Sequence, residues 1–202
     1  MAERVAPAVR TEVRGHVGVV TMAHLESRKP LNLRLEQDLV EQLQVLERDP
    51  AVFAVVLAGT DGHFMTGTTD RVFQVVRQFA KPVIAAVEGH ALGGGCALAL
   101  ACDIVIAAED ARFGQPEIRA GILPGASGTQ RLLQAAGRYK TLLWCLTGDT
   151  IPASDAYLAN LVSELVPPGQ AQERAIELAE QIGGMPPLAV QGIREAVRLA
   201  AG

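Results

Sequence analysis

Short apolar runs alternate with amphipathic segments through the first half of the chain. The stretch "HVGVVTMAH" (16–24) is rich in β-branched residues and predicts a strand. Residues 31–50 place four leucines on one helical face with charges opposite, which predicts a helix closed by Pro50. The continuous apolar runs 51–59, 81–89 and 103–110 predict strands that are buried on both faces.

Helical patterns dominate the rest of the chain. Residues 70–80 carry an apolar stripe typical of core or interface packing, and a further helix begins near Gly94. Five more helical segments are predicted at 128–137, 139–147, 153–159, 170–183 and 187–200. The alternation predicts the α/β class, with an α/β core over residues 1–135 and a helical C-terminal region over 136–202.

Composition narrows the class of protein. The 202 residues are 49% hydrophobic, enough for one folded domain with a substantial core. The net charge is −4 and no basic stripe with interleaved aromatics occurs, so we expect no nucleic-acid partner. Three cysteines without paired spacing predict neither a metal site nor disulfides, as is typical of a reducing cytoplasm. We find no secretory signal or membrane span and expect a soluble cytoplasmic protein.

Three consecutive glycines, Gly93–Gly95, precede a small apolar run and raise the first chemical question. The spacing lacks the Lys-Ser/Thr of a phosphate loop and the last glycine of a dinucleotide fingerprint. "GASGT" (125–129) is out of register for a nucleophile elbow, and all four histidines precede Ser127. Two explanations remain open: free N–H groups at a helix start that bind an anion or oxyanion, and close packing of the helix on a neighbour.

Glu117 lies 22 residues after Gly95, in a segment punctuated by glycine and proline. A carboxyl between two apolar stretches is a candidate for a raised pKa and for acid–base chemistry. The alternative is an ordinary solvated loop carboxylate.

Taken together, these segments resemble the crotonase superfamily, the enoyl-CoA hydratases and isomerases. The resemblance extends over nearly the whole chain and is most specific in "GGGCALAL", "FGQPEI" and "PGASGTQRL", in that order. It implies a fold of stacked ββα units and a substrate that is an acyl-CoA thioester. It also implies coenzyme A as part of that substrate without a separate cofactor or metal, and self-association into trimers or pairs of trimers.

The resemblance also implies roles for individual residues. Gly94 matches the position whose backbone N–H polarises the thioester carbonyl, and Glu117 matches a catalytic glutamate. The loop "HFMTGTTD" (63–70) places Thr68 at the second N–H position. The stretch "SRKPL" (27–31) aligns with the segment that holds the adenine and phosphates of coenzyme A. The residues expected to contact the substrate are Arg28, Lys29, Leu31, Thr66, Gly67, Asp70, His90, Gly93, Pro116 and Gly125.

One departure from the family changes the expected reaction. Hydratases of this family carry a second glutamate where this chain has Ala97. A positioned acid–base group contributes about 10²–10⁴-fold to a rate, so we expect hydration to be impaired. A single carboxylate suffices to move a double bond, so we predict isomerisation of 3-enoyl-CoA to 2-enoyl-CoA. Weak hydration and a catalytically silent acyl-CoA-binding or assembly protein are the alternatives. Dienoyl-CoA isomerisation is set aside because Gly125 replaces the required aspartate.

A second departure concerns length. Only twelve residues separate Thr68 from Lys81, where the family has a longer loop and helix over the acyl chain. Compared with the family, the C-terminal region is expected to be truncated at Gly202. Both features predict a shortened lid over the acyl chain.

Overall fold

Two sheets form the framework of the computed structural model, which describes residues 9–22, 33–60, 62–66 and 70–200. The larger sheet contains, in spatial order, β1 (Val9–Arg14), β2 (Val17–Met22), β3 (Ala54–Gly59), β5 (Val83–Val87), β7 (Ile104–Ala108) and β10 (Glu164–Val166). The smaller sheet contains β4 (His63–Thr66), β6 (His90–Leu92), β8 (Arg112–Gly114) and β9 (Ile151–Pro152). The pairs β1–β2 and β8–β9 are antiparallel, and the other neighbouring strands are parallel.

The helices lie where the periodicity predicts them. They are α1 (Leu33–Arg48), α2 (Asp70–Gln78), α3 (Gly94–Ala99), α4 (Gly128–Thr147), α5 (Ala153–Leu158), α6 (Ala171–Gly183) and α7 (Pro187–Ala200). A 3-10 turn, Pro116–Ala120, precedes α4. The two helices predicted at 128–137 and 139–147 form α4 together, which is broken at Gly137 because its φ of 73° and ψ of 171° are not helical.

The order of elements repeats three times. A strand of the larger sheet is followed by a strand of the smaller sheet and then by a helix, in the units β3-β4-α2, β5-β6-α3 and β7-β8-α4. Since β3, β5 and β7 are parallel neighbours, and so are β4, β6 and β8, the three units stack on one another. The expected fold class, stacked ββα units, is therefore confirmed.

The central strands of the larger sheet are buried on both faces, as their apolar runs predict. In β3, Val56 joins the core under α6, whereas Leu57 faces the core shared with α1 and α2. Helix α6 presents mainly alanines to its face, which lets it lie close to the strands. Burial on two sides explains why these runs show no polar alternation.

Several strands lack a clear signal in the sequence. In β1 only Val9 is buried, because this strand lies at the edge of the sheet and alternates with charged residues. Strands β4, β6 and β8 have three or four residues each, too few for a period to show. The C-terminal region that the sequence predicts as helical also contributes β9 and β10 to the two sheets. Among the helices described, none combines the length and apolar character needed to cross a bilayer.

Candidate active site

The three ββα units bring distant parts of the chain to one edge of the smaller sheet. Thr66 at the end of β4 lies in register with Leu92 at the end of β6, which lies in register with Gly114 at the end of β8. The connections that follow parallel strands leave the sheet at the same edge, where open α/β sheets bind their ligands. The glycine turn and Glu117 occupy two of these connections.

The turn after β6 is built on glycine backbone conformations. Gly93 caps α3 with φ 57° and ψ −124°, and its N–H donates to the Gly114 carbonyl oxygen at 2.8 Å. A positive φ of this size favours glycine. Gly94 is the first residue of α3, so its N–H has no acceptor within the helix, and no other backbone acceptor contacts it within the described residues.

Close packing explains Gly95, while the binding of an oxyanion by free N–H groups stays a prediction. A Cβ on Gly95 would lie 1.8 Å from the Met65 carbonyl oxygen, so α3 packs directly against the backbone of β4. A Cβ on Gly93 would instead lie 2.9 Å from Oε1 of Glu117. Close packing therefore requires one glycine, and the approach of a carboxyl group requires another.

Glu117 places its carboxyl group beside the glycine turn. It is the second residue of the 3-10 turn, which Pro116 opens and Gly121 ends in a left-handed conformation. Its Oε2 is buried and has no hydrogen-bond partner among the described residues. Burial raises the pKa of Glu117, and its own backbone N–H offsets this only in part. A carboxyl without a neutralising cation is suited to take up and return a proton.

Two protonated thiols lie near Glu117. Burial raises the pKa of the Cys96 thiol to about 12, and the Glu117 carboxylate adds to this effect. Burial and Glu117 also raise the pKa of Cys145, which places this thiol near the carboxyl group as well. Both cysteines therefore stay protonated near neutral pH and are poor nucleophiles.

Gln115 belongs to this site, although its residue type and position in the sequence do not predict it. It is fully buried, and neither amide atom has a nitrogen or oxygen partner within the described residues. The amide lies near the Cys96 thiol and would be 2.5 Å from a Cβ on Gly128. Gln115 thus fills the space between α3 and the start of α4.

Of the other residues predicted to contact the substrate, some lie near the glycine turn and others fall outside the described ranges. Thr66 and Pro116 lie at this edge of the sheet, and the Gly125 carbonyl oxygen accepts a hydrogen bond from the N–H of Gly128 at the start of α4. Asp70 begins α2, and its side chain is not described. The predicted residues outside the described ranges are Arg28, Lys29, Leu31, Gly67 and Thr68.

His90 lies at the other end of its strand from the glycine turn. It begins β6, its ring centroid is 5.2 Å from that of His63, and it is in register with Arg112. Burial lowers the pKa of His90, and His63 and Arg112 lower it further. The structure thus groups His90 with two other basic side chains, and its contact with substrate stays a prediction.

The chain is similar in sequence and in structure to enoyl-CoA hydratases. A family model described as enoyl-CoA hydratase/isomerase matches residues 65–201. A probable enoyl-CoA hydratase of Rhizobium meliloti is 38% identical over 92% of this chain and 79% of its own length. The 2,3-dehydroadipyl-CoA hydratase of Escherichia coli is 37% identical over 89% and 77%, respectively. Among solved structures, an enoyl-CoA hydratase subunit of Geobacillus kaustophilus aligns with a TM-score of 0.91 and 31% identity, covering 96% of this chain and 82% of that one.

Proposed function

Because the chain belongs to the enoyl-CoA hydratase/isomerase family, we propose that it is an enzyme that converts 3-enoyl-CoA thioesters to 2-enoyl-CoA thioesters. One observation carries this proposal: the carboxyl group of Glu117 lies beside the glycine turn, where the start of α3 leaves an N–H without an acceptor in its own helix. Ala97, at the position of the second glutamate of hydratases, is fully buried and has no acid–base group.

The proposed reaction is a proton transfer through one residue. The Gly94 N–H stabilises negative charge on the thioester oxygen, and the resemblance assigns the second donor to the N–H of Thr68, a residue outside the described ranges. Glu117 removes a proton from C2, and the electron pair of that C–H bond moves onto the thioester oxygen to form a dienolate, in which the C3–C4 double bond is conjugated with the new C1–C2 double bond. The protonated Glu117 then returns the proton to C4, which leaves the double bond between C2 and C3. No cofactor or metal takes part.

The raised pKa of Glu117 suits this exchange. A base that is too weak cannot remove the C2 proton, and an acid that is too weak cannot return it, so a pKa closer to neutrality helps both steps. Each donor to the developing oxyanion contributes about 3–4 kcal/mol in enzymes of comparable design. The buried carboxyl group therefore provides proton transfer, and the backbone donors stabilise the oxyanion. These are the two contributions that the shift of a double bond requires.

Hydration of 2-enoyl-CoA is the second candidate, because the relatives in Rhizobium meliloti and Escherichia coli carry hydratase names. Hydration requires a group that orients and deprotonates water in addition to one that handles the proton at C2. Without a carboxyl at Ala97, that task falls to Asp70, a threonine hydroxyl or a second water. We expect hydration to be slower than isomerisation for this reason.

Paired assays on the purified protein test the proposal. One assay follows the appearance of 2-enoyl-CoA from 3-enoyl-CoA, and the other follows its hydration. Faster isomerisation supports the single-carboxylate mechanism, whereas robust hydration contradicts it. Binding of acyl-CoA without either reaction would instead identify a catalytically silent binder.

The rate of isomerisation should depend on pH through Glu117. The base acts in its deprotonated form, so kcat/KM should fall as the pH decreases through the pKa of this carboxyl. Since burial raises that pKa, the fall should begin at a higher pH than an exposed glutamate would produce. A profile of kcat/KM against pH checks this, and a rate that stays flat down to the range of an ordinary carboxyl would contradict it.

We further propose that the chain self-associates through an apolar surface formed by the 3-10 turn, the loop after it and α4. A groove of about 510 Å³ lies there, and Leu123 and Leu146 on its walls are 89% and 65% exposed. Exposed apolar surfaces of this kind mark association sites. Light scattering should give a mass above the 21.3 kDa of one chain, and Leu146→Glu should lower it. A monomeric wild type would contradict this.

A further inference from the structure

A polar cavity of about 900 Å³ opens between α2, the residues before α4 and the end of α7. Its polar lining consists of Gln74, Arg77, Gln78, Ser127 and Arg198, and the Phe73 ring is one of its apolar groups. No aspartate or glutamate lines it within the part of the chain that the structure describes. The cavity is thus basic, although the chain as a whole is acidic.

Of the two arginines that line this cavity, Arg198 pairs with Glu195, whereas Arg77 has no carboxylate partner among the described residues. No carboxylate among the described residues lies within ion-pair distance of Arg77. Arg131 lies over the Phe73 ring with its guanidinium carbon 5.2 Å from the ring centroid. Burial lowers the pKa of Arg131, and the charge of Arg77 lowers it further. An anion in the cavity would relieve this repulsion.

The nearby carboxylates already have partners. Glu195 pairs with Arg198 at 3.0 Å, and Asp103 pairs with Arg194 at 2.7 Å. Arg198 also donates to the Arg77 carbonyl oxygen at 2.9 Å, which places its guanidinium at the end of α2. Arg77 lies on α2 at the wall of the cavity. Because the nearby carboxylates of the described residues pair with other arginines, its guanidinium can bind a ligand.

Two walls of the cavity are continuous along the chain with segments next to the candidate active site. Helix α2 begins directly after residues 67–69, in the loop that the resemblance assigns to the oxyanion hole. On the other wall, Ala126 and Ser127 precede Gly128, which packs against Gln115, two residues from Glu117. From Asp70 to Arg77 the helix rises by about 10 Å, at 1.5 Å per residue. An acyl chain that runs along α2 from the thioester would bring its far end toward Arg77.

We propose that this cavity receives the far end of the acyl chain and that Arg77, assisted by Arg198, binds a terminal carboxylate there. The preferred substrates are then thioesters of coenzyme A with a dicarboxylic acid, an inference that rests on the proposed function. A guanidinium binds a carboxylate through two parallel hydrogen bonds. A purely aliphatic chain end would instead displace water from Arg77 without replacing its hydrogen bonds. The same anion-binding chemistry would suit a phosphate of coenzyme A, and the experiment separates the two sources.

The test measures binding, because saturated thioesters cannot react. Calorimetry compares three ligands: a saturated six-carbon acyl-CoA, the same compound with a terminal carboxylate, and free coenzyme A. We expect the carboxylate to tighten binding about tenfold, as one charge-assisted hydrogen-bonded contact does. Dicarboxylic chains of four, eight and ten carbons should show an optimum, because only one length matches the position of Arg77.

Two variants make the comparison specific. Arg77→Gln should abolish the preference for the carboxylate and leave the affinity for the plain acyl-CoA unchanged. Arg71→Gln is the matched control, because it removes the same charge from an exposed position on the same helix that does not line the cavity. This control should keep the preference. Circular dichroism on heating confirms that both variants fold, as expected for exposed arginines.

The possible outcomes are distinct. Equal binding of the two acyl-CoA compounds overturns this inference and leaves the proposed function intact. If Arg77→Gln weakens all three ligands by the same factor, the arginine binds a phosphate of coenzyme A, which also overturns the assignment to the acyl chain. If no ligand binds, both the inference and the proposed function are contradicted.

Discussion

Replacing Glu117 by glutamine is expected to slow the isomerisation of 3-enoyl-CoA by about 10²–10⁴-fold, the usual contribution of one positioned acid–base group. Glutamine keeps the size of the side chain beside Gly93, but it cannot take a proton from C2 or return one to C4. The loss should appear in kcat with little change in KM, since the bound ground state is left in place. Stopped or continuous assays of 2-enoyl-CoA formation measure this.

Glu109→Gln is the matched control, because it makes the same chemical change at an exposed position after β7. It should retain full activity. A Glu117→Gln variant that keeps its rate within a few-fold would exclude Glu117 as the base.

Stability separates a loss of chemistry from a loss of folding. The folded-state pKa of Glu117 is raised, so the folded protein binds the proton more tightly than the unfolded chain does. The contribution of this group to stability is therefore fully present below the unfolded-state pKa and is lost as the pH rises through the folded-state pKa. At neutral pH the glutamine variant should be at least as stable as the wild type. An inactive variant with unchanged or higher melting temperature thus has a catalytic defect.

Replacing Gly95 by alanine is expected to destabilise the fold by about 3 kcal/mol or more, because it forces a methyl group into packed backbone. The new Cβ would lie 1.8 Å from the Met65 carbonyl oxygen and 2.5 Å from its carbon, so α3 and β4 would have to separate. That movement shifts the N–H of Gly94 and the carboxyl group of Glu117 relative to each other. A displacement of about 1 Å at a catalytic centre can cost 10²-fold in rate, so activity should fall even where the variant folds.

Gly192→Ala provides the control for this substitution. Gly192 lies within α7, and a Cβ there would meet no atom within 4 Å. Alanine should be neutral or stabilise the helix by about 0.5–1 kcal/mol. Urea unfolding followed by far-UV circular dichroism measures both variants, and equal stability of Gly95→Ala and the wild type would contradict the packing of α3 on β4.

Much of the architecture follows from residue patterns alone. The apolar runs that became β3, β5 and β7 are continuous because both faces of these strands are covered, and the leucine stripe of α1 faces one core. These signals are local, because each depends on the side chains of one element. The side chains that face the core are apolar, and those that face solvent are polar. The glycine run and Glu117 were also identifiable, since few roles require such residues in apolar surroundings.

The site itself depended on long-range pairing. Thr66, Gly93 and Glu117 come together because the parallel register of β4, β6 and β8 aligns the ends of three strands from separate units. The same register places His90 with His63 and Arg112 at the opposite end of these strands. The sequence pattern cannot predict this register, because strands of three or four residues are too short to show a period. Their pairing is fixed by the stacking of whole ββα units.

The electrostatics required the packed structure as well. In the sequence, Glu117 is a carboxylate in a loop, and its pKa is raised because the folded chain buries the carboxyl group and, among the described residues, gives its Oε2 no hydrogen-bond partner. The basic cavity around Arg77 likewise combines residues from α2, from the segment just before α4 and from α7. Arg77 and Arg198 are more than a hundred positions apart in the sequence. Residue types and local patterns therefore determine the elements and name the candidate chemistry. Burial, register and distance between remote segments determine which of these candidates can act together, since they arise only when the units pack.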